Sequence, residues 1–120
     1  MKCTNRDIGN SGEKICEIFL INHKYKILAK NFRNRIGEID IIALYNGDII
    51  FLEVKARNTL KFGNPCESVT YKKQQKIKSV ANYYIYINNL FNKNVRFDVL
   101  EVIFNKNKSY NINHIKDAFR

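Results

Sequence analysis

Residues 37–57 read GEIDIIALYNGDIIFLEVKAR. Two apolar runs flank Asn46-Gly47, the dipeptide best suited to the positive φ angles of a type I′ hairpin turn. A two-residue loop fixes the register, so that Tyr45 faces Asp48 and opposed residue numbers sum to 93. Asp40 then falls across from Glu53, and Glu38 across from Lys55. Directly opposed Cβ atoms lie only about 4.5–5.5 Å apart, and like charges placed there are destabilising. The two-residue period puts Glu38, Asp40, Glu53 and Lys55 on one sheet face.

A hard divalent cation turns that repulsion into a use. Mg²⁺, or Mn²⁺ in its place, takes carboxylate oxygens and keeps several waters. Asp40 and Glu53 are the expected ligands, with the carbonyl of Val54 as a third. Lys55 shares their face and can position or activate an attacking water, or stabilise charge on a phosphate. The same residues admit a plainer account. Glu38 and Lys55 would be a cross-strand ion pair, Asp40 a solvated strand residue, and Glu53 a partner of Arg57. A one-residue register slip would dissolve the constellation.

The remaining chain reads around this hairpin. Ile15, Ile18, Phe19 and Asn22 predict a helix over 11–22, with Asn10 and Glu13 as a capping box. Glu13 is either that box residue or a third carboxylate near the metal. YKILAK predicts a strand over 25–30, NFRNRIG a polar connection, and residues 56–68 a loop around Pro65. A second helix over 70–88 buries Ile77, Val80, Ala81, Tyr84 and Ile87. Lys73 continues that stripe into the first turn, so it points at the sheet, as a substrate contact with Gln74 or as a snorkelling lysine. Strands over 96–104 and 110–115 complete the order αβββαββ. The helical crossover makes the third and fourth strands parallel. The expected fold class is α/β, a mixed sheet flanked by helices, and 120 residues suit one domain spanning 1–120.

Twenty-one Lys+Arg against eleven Asp+Glu give a formal net charge of +10. A small domain this basic expects a polyanion, most often nucleic acid. Arg33, Arg35, Arg57, Lys61, Lys72, Lys76 and Lys78 are read as phosphate-backbone contacts or as a solvated face. Arg96 and Asp98 are read as a structural pair. His23 and His114 are read as surface or packing residues, and Tyr83, Tyr84 and Tyr86 as helix packing. Cys3, Cys16 and Cys66 lack disulfide or zinc spacing. No run reaches transmembrane length and the start has no apolar signal core, so no membrane partner and a cytoplasmic location are expected.

Asp40 followed by Glu53-Val54-Lys55 resembles the core of the PD-(D/E)XK nuclease superfamily. More of the chain resembles the bacterial YraN family: GNSGE at 9–13, NFR at 31–33, GEIDII at 37–42, FLEVKAR at 51–57, SVTYKKQ at 68–74, RFDV at 96–99 and the AF near the C-terminus. Cys16 stands where that family often has Ala. The resemblance implies a restriction-endonuclease-like fold, similar to Holliday junction resolvases. It implies a metal-dependent nuclease in which Glu13, Asp40, Glu53 and Lys55 match active-site positions, and Lys73-Gln74 the motif on the following helix. The expected function is Mg²⁺-dependent hydrolysis of DNA phosphodiester bonds, with branched or structured DNA among the substrates. The alternative is a non-catalytic nucleic-acid-binding protein that keeps the fold. A two-fold substrate would suit a homodimer.

Overall fold

The turn at Asn46-Gly47 forms as read, with φ of 50° and 84°, and everything else is arranged about the hairpin it closes. The computed structural model describes residues 5–58 and 69–120, with side chains from Ser11 on. The elements are α1 (Asn5–Asn22), β1 (Lys26–Arg33), β2 (Glu38–Tyr45), β3 (Asp48–Asn58), α2 (Tyr71–Ile87), β4 (Val95–Phe104) and β5 (Tyr110–Phe119). One sheet runs β1-β2-β3-β4-β5. Its only parallel neighbours are β3 and β4, the pair joined across α2. This is the expected α/β class, a restriction-endonuclease-like mixed sheet with helices packed on it. Pro65, Cys66 and Lys61 of the expected loop, and Cys3, lie outside the described residues.

The sheet is buried on both faces, which is why its central strands are nearly continuous apolar runs. Cys16 and Leu20 of α1 cover Ile41, Ala43, Ile50, Leu52, Leu100 and Val102. Ile77, Val80, Ala81 and Tyr84 of α2 cover Ile42, Ile49, Phe51 and Val99 on the other face. Thr70 caps α2 by accepting from the Lys73 N–H at 3.2 Å. Both helices end with a left-handed residue, Lys24 and Asn89. The next N–H returns five residues, Tyr25 to Leu20 and Leu90 to Ile85, which satisfies carbonyls that a bare helix end would orphan. Among the described residues no helix is long and apolar enough to cross a membrane.

Four boundaries differ from the sequence reading. The α1 helix begins at Asn5, so Asn10 is inside it, the capping box does not exist, and Glu13 sits mid-helix. Glycine costs only about 1 kcal/mol in a helix, which packing readily overrides. The β1 strand runs on through Asn31, Phe32 and Arg33, because Phe32 is packed edge-on against Tyr84 of α2. The β3 strand continues through Ala56, Arg57 and Asn58, each paired with β4. The β5 strand extends to Phe119, with three residues bulged opposite Asp98. On α2 itself, Ile87 and Tyr86 face solvent instead of joining the buried stripe.

That bulge has a purpose. Asp98 is fully buried. It receives two hydrogen bonds from Arg96, at 2.8 Å each, and one from the Asp117 N–H at 2.9 Å. His114 Nε2 lies 2.7 Å from it, and Arg96 also reaches the Tyr25 hydroxyl at 3.0 Å. Burial pushes the Asp98 carboxyl up, but His114, Arg96 and the Asp117 N–H outweigh it and hold the group below its usual range. The Arg96–Asp98 pair is therefore structural, as read. His114 is part of the same network and tethers the edge strand β5.

Gly12 sets how closely α1 approaches the sheet. A Cβ there would lie 2.9 Å from the Cβ of Ala56, closer than packed carbons tolerate. The next residue is Glu13, so this contact fixes the depth of its carboxylate. Gly12→Ala should destabilise the protein by roughly 1–2 kcal/mol, overpacking outweighing the gain in helix propensity. Adding Ala56→Gly should recover most of that loss. Urea unfolding of both variants checks it, since two independent losses would simply add.

Candidate active site

The β2–β3 ladder keeps the predicted register from Tyr45↔Asp48 to Ile41↔Leu52 and stops there. The next pair would be Asp40 and Glu53. In the alternation of an antiparallel ladder the Val54 N–H belongs to the carbonyl of Ile39. It donates instead to Asp40 Oδ2 at 2.8 Å. Val54 thus enters the site through its N–H. Asp40 replaces the last rung, and the strands separate beyond it. Glu38, expected opposite Lys55, instead lies on the β1 side of this split and pairs with Arg33 at 3.6 Å.

A second irregularity meets the first. Asn31 of β1 faces Asp40, between the pairs Lys30↔Ile41 and Phe32↔Ile39. Its φ is 51°. Asparagine tolerates this left-handed region better than most residues. The side-chain alternation of both strands breaks at this pair. Lys30 reaches Glu17 on α1 at 3.2 Å, whereas Phe32 and Ile39 both pack on the α2 side. The Asn31 side chain lies beside Glu13 and acts to lower its pKa. It was not read as a site residue from sequence, where it appears only in the NFR motif within a stretch read as a polar connection.

The split opens into a cleft of roughly 490 Å³ lined by Ile36, Gly37, Glu38, Asp40, Glu53, Thr70, Lys72, Lys73, Lys76 and Ile77. Asp40 and Glu53 therefore face the same space. Lys73 points at the sheet as expected, its ammonium 2.8 Å from Glu53 Oε1. Burial alone would lower the Lys73 pKa, but the bond and charge of Glu53, with Asp40, raise it. Lys55 lies close enough to Lys73 to influence its pKa. Burial, then the charge of Glu53, pushes the Asp40 carboxyl up to about 7, although the Val54 N–H pulls the other way. Burial and Glu38 raise Glu13, against the pull of the Asn31 side chain. Cys16 lies beneath, its thiol pushed to about 12 by burial and the nearby carboxylates, which leaves it an inert packing residue.

The other expected contacts divide. Lys72 lines the cleft beside Lys76. Gln74 turns back and donates to the Val69 carbonyl at 2.8 Å, bracing the start of α2. Arg57 is largely buried, 3.6 Å from Glu101, and does not face the cleft. Glu101 stands beside Lys55 in the parallel ladder. No turn sets that ladder's register, so sequence could not supply the pairing. Among the described residues no three His, Cys, Asp or Glu side chains are gathered closely enough to hold a metal ion together. The carboxylates lining the cleft are Asp40, Glu53 and, paired with Arg33, Glu38; Glu13 is not among them.

The pattern of the Uncharacterised protein family UPF0102 matches residues 12–102. The chain belongs to that family. A UPF0102 protein of Clostridium novyi is 53% identical over 116 residues, covering 96% of this chain and 97% of its own length. One from Clostridium botulinum is 53% identical over 121 residues, covering 100% and 99%. One from Clostridioides difficile is 52% identical over 115 residues, covering 96% and 98%. The YraN-like membership expected from the motifs holds. The stretch matched by the UPF0102 pattern begins at Gly12, the glycine that seats α1, and includes Glu13, Asn31, Asp40, Glu53, Lys55 and Lys73.

The raised Asp40 pKa has a measurable consequence for this UPF0102 chain. Between about pH 4 and 7 the folded state binds more protons than the unfolded chain, so Asp40 withdraws stability as pH rises through that window. The withdrawal is complete above about 7, where Asp40 is ionised in both states. Asp40→Asn removes the charge and keeps an acceptor for the Val54 N–H. In EDTA at pH 8 the variant should be more stable than the wild type by on the order of 1–3 kcal/mol. The difference should shrink toward zero near pH 4. Urea denaturation at the two pH values decides it, and equal stability at pH 8 would show that Asp40 carries no charge penalty.

Proposed function

We propose that the chain is a PD-(D/E)XK-type, Mg²⁺-dependent endonuclease that hydrolyses DNA phosphodiester bonds. The observation that carries this reading is the pair Asp40 and Glu53, facing one cleft where β2 and β3 part. Asp40 is pushed toward neutrality by burial and by the neighbouring charge of Glu53. The donor chemistry fits the cation. Two carboxylates would hold it and leave its other positions to water and phosphate oxygens, as Mg²⁺ prefers. When bound, it would polarise the phosphate and lower the pKa of water.

The chain's own groups divide the remaining work. Lys72 and Lys76 on the cleft rim bind backbone phosphates. Lys73, displaced from Glu53, turns to the phosphate being cleaved and offsets charge that grows on its oxygens. Lys55 holds the attacking water and takes part in moving its proton. Glu13, beside Asn31, adds negative charge behind the pair. The net charge of +10 draws the polyanion in and makes binding salt-dependent.

One observation favours the second reading, a non-catalytic DNA-binding module. The Lys73–Glu53 ion pair at 2.8 Å already supplies one carboxylate with a counter-charge. Calorimetric titration with Mg²⁺ separates the two readings. The enzyme should bind the ion and lose that binding in Glu53→Gln, whereas the module should show none. The direct test is cleavage of linear, flapped and four-way DNAs in Mg²⁺, Mn²⁺ or EDTA. Asp40→Asn and Glu53→Gln should each lower the rate at least about a hundredfold, as expected when metal ligands are removed. Equal nicking by wild type and Asp40→Asn would end the nuclease reading.

A further inference from the structure

The loop between β1 and β2 is built more rigidly than a connection requires. Asn34 Oδ1 accepts from the N–H of Ile36 at 2.8 Å and from that of Gly37 at 3.3 Å. The Asn34 N–H returns to the Gly37 carbonyl at 3.0 Å. This is a side-chain-closed turn, and it is seated on α2. A Cβ on Gly37 would meet Lys76 Cβ at 3.5 Å and Val80 Cγ2 at 3.6 Å, so the backbone already rests on the helix. At the tip stands Ile36, 51% exposed and lining the same cleft as Asp40 and Glu53. Arg33 and Arg35 precede it and both are exposed, Arg33 being paired with Glu38.

A single exposed isoleucine is ordinary on a protein surface. Four features set this one apart. It lies on the rim of the charged cleft, next to the lysines of α2. It has basic neighbours. Its backbone is fixed by three hydrogen bonds, and its branched side chain is stiff at χ1. A rigid apolar side chain held by basic residues against nucleic acid is the arrangement that opens base steps. Inserting it costs a few kcal/mol per step in continuous duplex. The cost is least where pairing is already interrupted.

We propose that Ile36 is a wedge that enters DNA at a discontinuity in the duplex, such as a branch point, and so directs the cleft to junction-containing substrates. The inference rests on reading the cleft as a DNA site, and it supplies that site's substrate class. Lys72 and Lys76 hold phosphates while Ile36, beside them, occupies the opened step. Preference for branched over continuous DNA then comes from the lower cost of opening a step that is already strained.

The test uses a four-way DNA junction carrying 2-aminopurine beside the branch, and a continuous duplex carrying it in the same sequence, both in EDTA. Wild type should raise junction fluorescence, reporting an unstacked base. Ile36→Ala should abolish most of that rise, and Ile36→Leu should keep it. Affinity of Ile36→Ala for the continuous duplex should stay within about twofold of wild type, because phosphate contacts dominate there. Its thermal midpoint should match wild type, since the side chain supports no core. An equal rise with Ile36→Ala, or none with wild type, overturns the wedge.

Cleavage in Mg²⁺ keeps the two readings apart. If wild type cuts the junction faster than the duplex, Ile36→Ala should narrow that ratio about tenfold, the equivalent of some 1.4 kcal/mol. Cleavage with an unchanged ratio overturns the wedge alone. A fluorescence rise without cleavage sustains the wedge and overturns the nuclease.

Discussion

The hydrogen bond from the Val54 N–H to Asp40 Oδ2 is the contact on which the candidate site depends. An antiparallel ladder is self-propagating, since each rung holds the strands at the spacing the next one needs. Two opposed carboxylates resist the next rung, and a backbone N–H left behind would cost more than an ordinary hydrogen bond is worth. Asp40 resolves both problems with one side chain. It takes the N–H, ends the ladder and leaves a gap. Each helix then closes one side of that gap. The α1 helix comes near enough because residue 12 has no side chain, and α2 because Lys73 reaches Glu53.

Much of this was legible because local chemistry fixes it. Asn46-Gly47 set the β2–β3 register, and that register placed Asp40 by Glu53. The apolar stripe located α2 to within a residue and aimed Lys73 correctly. What stayed hidden depends on partners distant in sequence. Asn31 to Arg33 look like a polar loop until Phe32 meets Tyr84 across the cleft wall. Glu38 was assigned to Lys55 on the assumption that the ladder continues, yet the repulsion that suggested the site is what ends the ladder first. Arg57 looked like a phosphate contact because nothing local reveals Glu101. The reach of β5 to Phe119 depends on Asp98 gathering the Asp117 N–H. Alternation cannot show that.

The fully buried Asp98 and the half-buried Asp40 are a control for one another. Asp98 and Asp40 are the same side chain in the same sheet, both desolvated. Around Asp98 the protein supplies a guanidinium, an imidazole and a backbone N–H, and the carboxyl falls below its usual range. Around Asp40 it supplies one N–H and a lysine shared with Glu53, then adds the charges of Glu53 and Glu13, and the carboxyl rises. Among the described residues every buried side-chain nitrogen and oxygen has a hydrogen-bond partner. The difference is therefore one of charge, not of unmet hydrogen bonds.

A fold needs a compensated carboxylate and gains nothing from an uncompensated one. Replacing Asp98 would leave Arg96 and His114 without their acceptor, so its retention follows from packing alone. Asp40 has no such reason to stay charged, since a neutral amide could accept the same N–H without the repulsion. On the proposed function, the charge is used when further positive charge enters the cleft. The basic rim of Lys72 and Lys76 cannot be that charge, because its lysines sit at the mouth and serve an anion. On that reading the partner is a divalent cation, small enough to sit between Asp40 and Glu53 and hard enough to favour oxygen, with a phosphate beside it facing the basic rim.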